Sequence, residues 1–175
     1  MLIIRRETPA DIDAVHAVTE AAFRPRAEPG RDETIEVGLL RALRGDDGWI
    51  PALSLVAVDD EGEIVGHVLC TRATVGDTPV LGLGPLSVRP DRQRGGVGKA
   101  LVHTVLGAAD AMGEPLVALL GDPNYYGRFG FQLSDTHGVT PPVPEWQPHF
   151  QVRTLHAHDP SVRGLFAYAG PFNEL

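Results

Sequence analysis

A chain of 175 residues, 43% of them hydrophobic and 22% charged, has the length and composition of one globular domain with a sizeable core. Fifteen basic residues against twenty-three acidic ones leave a net charge of −8, which argues against a nucleic-acid partner and mildly favours a cationic one. No apolar run is long enough to span a bilayer, the apolar start Met1-Leu-Ile-Ile is too short for a signal peptide, and the single cysteine, Cys70, excludes an internal disulfide. The expectation is a soluble, cytoplasmic protein with no membrane partner.

The predicted elements follow in chain order. Leu2 to Arg6 reads as a strand. Thr8 is a plausible N-cap, with Pro9 at the first helical position and Asp11 in the first turn. Ile12, Val15, Thr19, Ala22 and Phe23 then share one helical face. Arg24 to Arg31, with two prolines and a glycine, is a loop. Asp32 is placed to cap a second helix whose face is Ile35, Leu39 and Leu43. Leu53–Val58 and Ile64–Thr71 read as two strands joined by a polar turn, and Val80–Val88 as a third. A helix follows with Val97, Leu101, Val105, Ala108 and Met112 on its apolar face. The fully apolar run from Pro115 to Leu120 suits a buried parallel strand. After a short helix come a proline-rich loop, Thr140–Pro148, and a last strand-like run, Phe150–Leu155.

The chemistry concentrates in Leu81–Lys99. A strand runs into a basic, glycine-rich loop that opens a helix, the layout of an anion site. Arg92, Arg94 and Lys99 add positive charge to this one region of an acidic chain. Spacing separates the candidate ligands. A nucleoside-triphosphate loop needs a hydroxyl after Gly98-Lys99, where this chain has Ala100. A dinucleotide loop reads G-x-G-x-x-G after a first strand, which Gly95-Gly96-Val97-Gly98 does not match. Gln93-Arg-Gly-Gly-Val-Gly98 instead resembles the Q/R-x-x-G-x-G/A acetyl-coenzyme A signature of the GNAT superfamily of N-acetyltransferases. The flanks, Leu86-Ser-Val-Arg-Pro90 and the long helix, are similar as well. Tyr126 stands four residues before Gly130-Phe131, as a tyrosine does in that superfamily. The resemblance covers residues 2–133 and thins beyond Ser134.

The resemblance implies an α/β fold with one mixed central sheet flanked by helices, a single N-acetyltransferase domain over residues 1–175, and acetyl-coenzyme A as cosubstrate. It implies that Leu86, Ser87 and Val88 pair with the acyl-pantetheine arm where the strand splays from its neighbour. Gly82, Gly84 and Pro85 make that strand irregular on their own account. The Leu86 N–H is the candidate for polarising the thioester carbonyl, a contact worth about 3 kcal/mol in a preorganised site. The pyrophosphate falls to Arg94, Gly95, Gly96, Val97, Gly98 and Lys99, and Asn124 either meets the pantetheine or caps the short helix. Tyr126 suits the general acid, because a phenol of pKa about 10 exchanges a proton with a thiolate at little cost. Tyr125 beside it should diverge from the site.

The catalytic base is open: the strand before the loop carries no carboxylate, and Glu33 and His67 are the two candidates. Four late histidines, with His156-x-His158 on a strand, lack any metal-ligand motif, so no metal is expected. The acceptor is a small-molecule or peptide amine, met by the Arg24–Glu33 and Thr140–Pro148 loops with Trp146. A homodimer is left open. The alternative is a non-catalytic acyl-coenzyme A sensor on the same fold, against which Tyr126 argues.

Overall fold

The computed structural model describes residues 1–175, and its strands from Ile3 to Ala167 join into one mixed sheet. The elements are β1 (Ile3–Arg6), α1 (Ile12–Phe23), α2 (Ile35–Arg44), β2 (Trp49–Val58), β3 (Ile64–Val75), β4 (Thr78–Val88), α3 (Val97–Ala111), β5 (Leu116–Leu120), α4 (Pro123–Tyr126), β6 (Gln132–Leu133), β7 (Val139–Thr140), β8 (Phe150–Thr154) and β9 (Gly164–Ala167). The sheet order is β1-β2-β3-β4-β5-β8-β6, with β9 added beside the far end of β3 and β7 beside β9. All neighbours are antiparallel except β4 with β5 and β7 with β9. This is the mixed α/β architecture expected from the sequence.

The two faces of the sheet are covered differently. On one face α3 buries Val97, Leu101, Val102, Val105, Leu106 and Ala109 against β2–β5. The buried stripe is rotated from the one predicted: Met112 lies just past the last helical residue and is 47% exposed. On the other face α1 and α2 pack Val15, Leu39, Leu40 and Leu43 against Val56 and Leu69. Thr8 does precede the first helix, through a short 3-10 turn, and its N–H donates to Asp11 Oδ2 at 2.7 Å. The second helix starts two residues later than Asp32 would have it. Thr34 is its N-cap, and the Thr34 N–H donates to Glu20 Oε2 of α1 at 2.9 Å. A carboxylate from the neighbouring helix thus satisfies a donor that a local cap would have taken.

Under α1 and α2 lies a polar cluster. His67, fully buried on β3, places Nε2 2.9 Å from Ser54 Oγ and 3.3 Å from Glu7 Oε2. Arg44 of α2 donates to the other Glu7 oxygen and stacks its guanidinium over the Trp49 ring at 4.9 Å. Burial raises the Glu7 carboxyl, but hydrogen bonds from His67, Ser54 and Arg44 outweigh it and hold it at about 2. Burial pushes the His67 imidazolium down, partly opposed by Glu7. The cluster ties β1–α1 and α2 to the middle of the sheet.

Removing one partner from such a pair leaves the other charge buried and uncompensated. Glu7→Ala is therefore expected to lower the unfolding free energy by on the order of 3 kcal/mol in urea titrations. Both depressed values make the folded state bind fewer protons than the unfolded one. Stability should be full at neutral pH and fall from about pH 6.5 downward, as the unfolded histidine and then the unfolded carboxylate take up protons. Urea titrations of Glu7→Gln across that range should show a shallower acid limb.

Candidate active site

The parallel pairing of β4 with β5 is short. Leu81 faces Val117 and Gly82 faces Ala118, and beyond them the two strands are no longer paired. On the β4 side a bulge intervenes: Val68 faces Leu86 while Cys70 faces Leu83, so Gly84 and Pro85 together stand opposite Leu69, one residue more than a regular ladder holds. Past the bulge the ladder to β3 fixes which groups face the opening. The Arg89 N–H donates to Val65 O at 2.8 Å. Antiparallel pairs alternate between hydrogen-bonded and non-bonded, so Ser87 bonds to His67 across the ladder, while Leu86 and Val88 turn their N–H and C=O away from β3. In agreement, the Val88 carbonyl accepts instead from Gln93 Nε2 at 3.0 Å.

The parted strands open a cleft of about 980 Å³. Leu83, Gly84, Pro85, Leu86 and Val88 line one side of the opening, and Leu119, Leu120 and Gly121 the other. At its mouth stands the start of α3. Gly96, the N-cap, has φ +90° and provides no capping side chain. The first N–H in this helix to find an intrahelical acceptor is that of Ala100, on Gly96 O at 3.0 Å, so the donors of the first turn remain for a ligand. Arg94 is the one non-glycine residue with positive φ, +64°. Such a conformation costs on the order of 1 kcal/mol and is characteristic of functional loops.

Gln93, Arg94, Gly96, Gly98 and Lys99 line the cleft, and Arg94 and Lys99 form no ion pair. Arg92 does not join them, because its guanidinium holds Asp59 at 3.0 Å. Gly95 is exposed outside the cleft lining, and Val97 points its side chain into the core. Ser87 is corrected outright: its backbone bonds to β3, and its buried hydroxyl donates to Thr19 of α1 at 3.2 Å. Asn124 is also corrected. It is exposed outside the cleft, and the cap of α4 is Asp122, whose Oδ1 accepts the Asn124 N–H at 2.9 Å.

Tyr126 lines the cleft, its ring lying against Gly121. Burial, and then the neighbouring Tyr125 phenol, push its hydroxyl up to about 12. The shift makes Tyr126 a weaker acid than an ordinary phenol and keeps its hydroxyl protonated, able to donate a hydrogen bond. Tyr125 does not diverge. The two rings meet edge to face with centroids 4.8 Å apart, and both line the cleft. The Tyr125 hydroxyl reaches Gly98 in the first turn of α3, while Arg128 covers the ring at 4.8 Å and donates to the Tyr125 carbonyl.

Neither candidate base is at the site. His67 lies in the buried cluster under α1 and α2, and Glu33 pairs with Arg41 at 2.9 Å, outside the cleft lining. One turn along α2, Glu36 does line the cleft. His156 and His158 follow the end of β8 rather than sharing a strand face. His156 bonds to Asp110 and His158 faces His137. No group of three or more His, Cys, Asp or Glu residues is placed to hold a metal ion. Trp146, expected from the sequence to meet the acceptor, is in the cleft wall, whereas Tyr168 and Phe172 beside it were not foretold. Tyr168 packs on Gly82 where β4 and β5 last pair.

Residues 3–134 match the family model described as an acetyltransferase (GNAT) domain. The chain belongs to the GNAT acetyltransferase family. It is 34% identical to the uncharacterized N-acetyltransferase YhbS of Escherichia coli (strain K12), covering 98% of this chain and 99% of that one. The crystal structure of Escherichia coli YhbS in complex with coenzyme A superposes with a TM-score of 0.82 at 31% identity, over 98% of this chain and 92% of that one. A GNAT family acetyltransferase from Brucella melitensis, in complex with acetyl-coenzyme A, superposes with a TM-score of 0.78 at 33% identity, over 98% of both chains. These relatives extend past residue 134, so the GNAT chain shares its C-terminal segment with them. No helix is long and apolar enough to cross a membrane.

A methyl group added at Gly121 would stand 2.6 Å from the Tyr126 ring. Gly121→Ala should therefore lower the unfolding free energy by about 1–3 kcal/mol and shift the Tyr126 ring resonances in NMR spectra. Gly127→Ala, which meets open space, should stay within about 0.5 kcal/mol of the parent.

Proposed function

We propose that this enzyme transfers an acetyl group from acetyl-coenzyme A to a primary amine of a small-molecule or peptide acceptor. The observation that carries the proposal is the parting of β4 from β5 beside an uncapped helix start. It combines outward-turned backbone donors at Leu86 and Val88 with the first-turn donors of α3. An extended acyl-pantetheine arm can pair with the first set while its pyrophosphate meets the second. Arg94 and Lys99 supply charge, Gly96 admits a close approach, and the backbone N–H groups of Gly95, Val97 and Gly98 complete the cradle. In this acidic chain the four cleft cations Arg26, Arg94, Lys99 and Arg128 form a local positive field for a polyanion. The single, fully buried cysteine suits a reducing cytoplasmic setting.

The cosubstrate supplies the activated thioester. The Leu86 N–H is placed to polarise its carbonyl oxygen. The acceptor ammonium loses a proton to water, its nitrogen bonds to the acetyl carbon and then gives a second proton to water, and the carbon–sulfur bond breaks to leave a thiolate. Tyr126 donates a hydrogen bond to that sulfur as negative charge develops, and solvent delivers the final proton. The hydroxyl thus matters to the transition state more than to binding.

Calorimetry and steady-state kinetics test this reading together. Acetyl-coenzyme A should bind, and Gly96→Asp, which sets a carboxylate against the pyrophosphate, should weaken it by more than about tenfold. Tyr126→Phe should lower kcat by about 10- to 1000-fold and leave coenzyme A affinity within about threefold. Tyr125→Phe should do the reverse, weakening affinity a few-fold with kcat little changed, because its hydroxyl sits at the helix start. Unchanged binding in Gly96→Asp would place the cosubstrate elsewhere. Binding without turnover on any amine would favour a sensor.

A further inference from the structure

The cleft has a second half that the cosubstrate residues do not use. The C-terminal end of α1 and the first turns of α2 form one wall there, with Phe23, Glu36 and Leu39. The C-terminal segment forms another. Phe172 packs against the cluster containing Leu39 and stacks on Tyr168 with centroids 4.3 Å apart. Tyr168 in turn touches Gly82 at the point where the strands part. A continuous apolar and aromatic surface therefore leads from Glu36 to the opening.

Charge in the cleft is unevenly divided. Its side-chain carboxylates are Glu36 and Asp122, and Asp122 is occupied as the cap of α4. Glu36 makes no hydrogen bond or ion pair, whereas Glu33, one turn earlier, is spent on Arg41. One free carboxylate can hold one ammonium. A polyamine or an aminoglycoside would bring several positive charges to a cleft with one free side-chain carboxylate to meet them. Its hydroxyls or extra amines would also face aromatic rings rather than hydrogen-bonding groups.

We infer that the acceptor is a small monoamine on an apolar or aromatic frame, and that Glu36 is the residue that selects its ammonium. The inference rests on the acetyltransferase reading above and deepens it. Phe23, Tyr168 and Phe172 take the apolar frame while Glu36 takes the ammonium. Glu36 acts here on recognition, so its loss should raise KM more than it lowers kcat.

The test uses the full chain with phenethylamine, ethanolamine, spermidine and kanamycin, read by release of free thiol from acetyl-coenzyme A. Phenethylamine should have the highest kcat/KM, by about tenfold or more over the others. Glu36→Gln should lower that value by about tenfold, mainly through KM, with acetyl-coenzyme A affinity within about twofold of the parent. Glu33→Gln should leave all three quantities unchanged. Calorimetric titration of phenethylamine into the protein–coenzyme A complex should show the same loss in Glu36→Gln. A preference for spermidine or kanamycin, acetylation of none of the four despite cosubstrate binding, or a Glu36→Gln value within about twofold of the parent would overturn the inference. Failure to bind acetyl-coenzyme A at all would instead remove the acetyltransferase reading beneath it.

Discussion

The parting of β4 from β5 is the constraint on which the rest of the molecule depends. Two paired residues on each strand hold the sheet together at Leu81–Gly82 and Val117–Ala118, and nothing pairs them beyond. An unpaired strand edge inside a protein is costly unless something else takes its donors and acceptors. Here the sequence makes the opening permanent. The Gly84–Pro85 bulge bends β4, and Tyr168 fills the apex because Gly82 leaves room for its ring. On the other strand β8 pairs the outer edge of β5 along its whole length, so β5 stays straight and anchored as its inner edge comes free. The opening is thus held from both sides.

The remaining parts of the site are arranged around that opening. The bonded ladder to β3 leaves the donors of Leu86 and Val88 facing into it, and the Gln93 side chain takes the carbonyl of Val88 as the chain turns toward α3. The helix then begins with a residue that cannot cap it. Local stability is given up in two places, at the uncapped start of α3 and at Arg94 with its positive φ. Both lie at the mouth of the cleft, where an anionic ligand would recover the cost. The buried Glu7–His67–Arg44 cluster serves the same end from behind. It fixes α1 and α2, whose ends Phe23 and Glu36 form the far wall.

Much of this was legible in the chain. The strands up to β5 follow from alternation and apolar runs, and the loop at Gln93–Gly98 carries its meaning in spacing. Gly82, Gly84 and Pro85 announce an irregular strand, since neither residue type suits a regular ladder. What failed did so where position along the chain says little about position in space. Glu33 and Glu36 are acids three residues apart, but Glu33 precedes the N-cap Thr34 and pairs with Arg41, whereas Glu36 lies in the first turn of α2 and lines the cleft. His67 and Ser87 alternate correctly on their strands but point to the face that α1 covers. Tyr125 and Tyr126 are successive residues of the one-turn helix α4, yet their rings meet edge to face and both stand in the cleft wall, because the cleft reaches around that helix from Gly121 to Gly98. Tyr168 and Phe172 join the expected Trp146 in the C-terminal wall through a course that depends on β8 inserting between β5 and β6, a long-range pairing that no local pattern encodes.

The central claim is that the outward-turned amides of β4 receive the cosubstrate, and amide hydrogen exchange followed by NMR tests it directly. In the free protein the Leu86 and Val88 amides should exchange faster than that of Ser87, which the β3 ladder protects. Adding acetyl-coenzyme A should slow Leu86, Val88 and the first-turn amides of α3 by about tenfold or more, while Ser87 changes little. If acetyl-coenzyme A binds and those amides keep their exchange rates, the ligand lies elsewhere and the account of the opening is wrong.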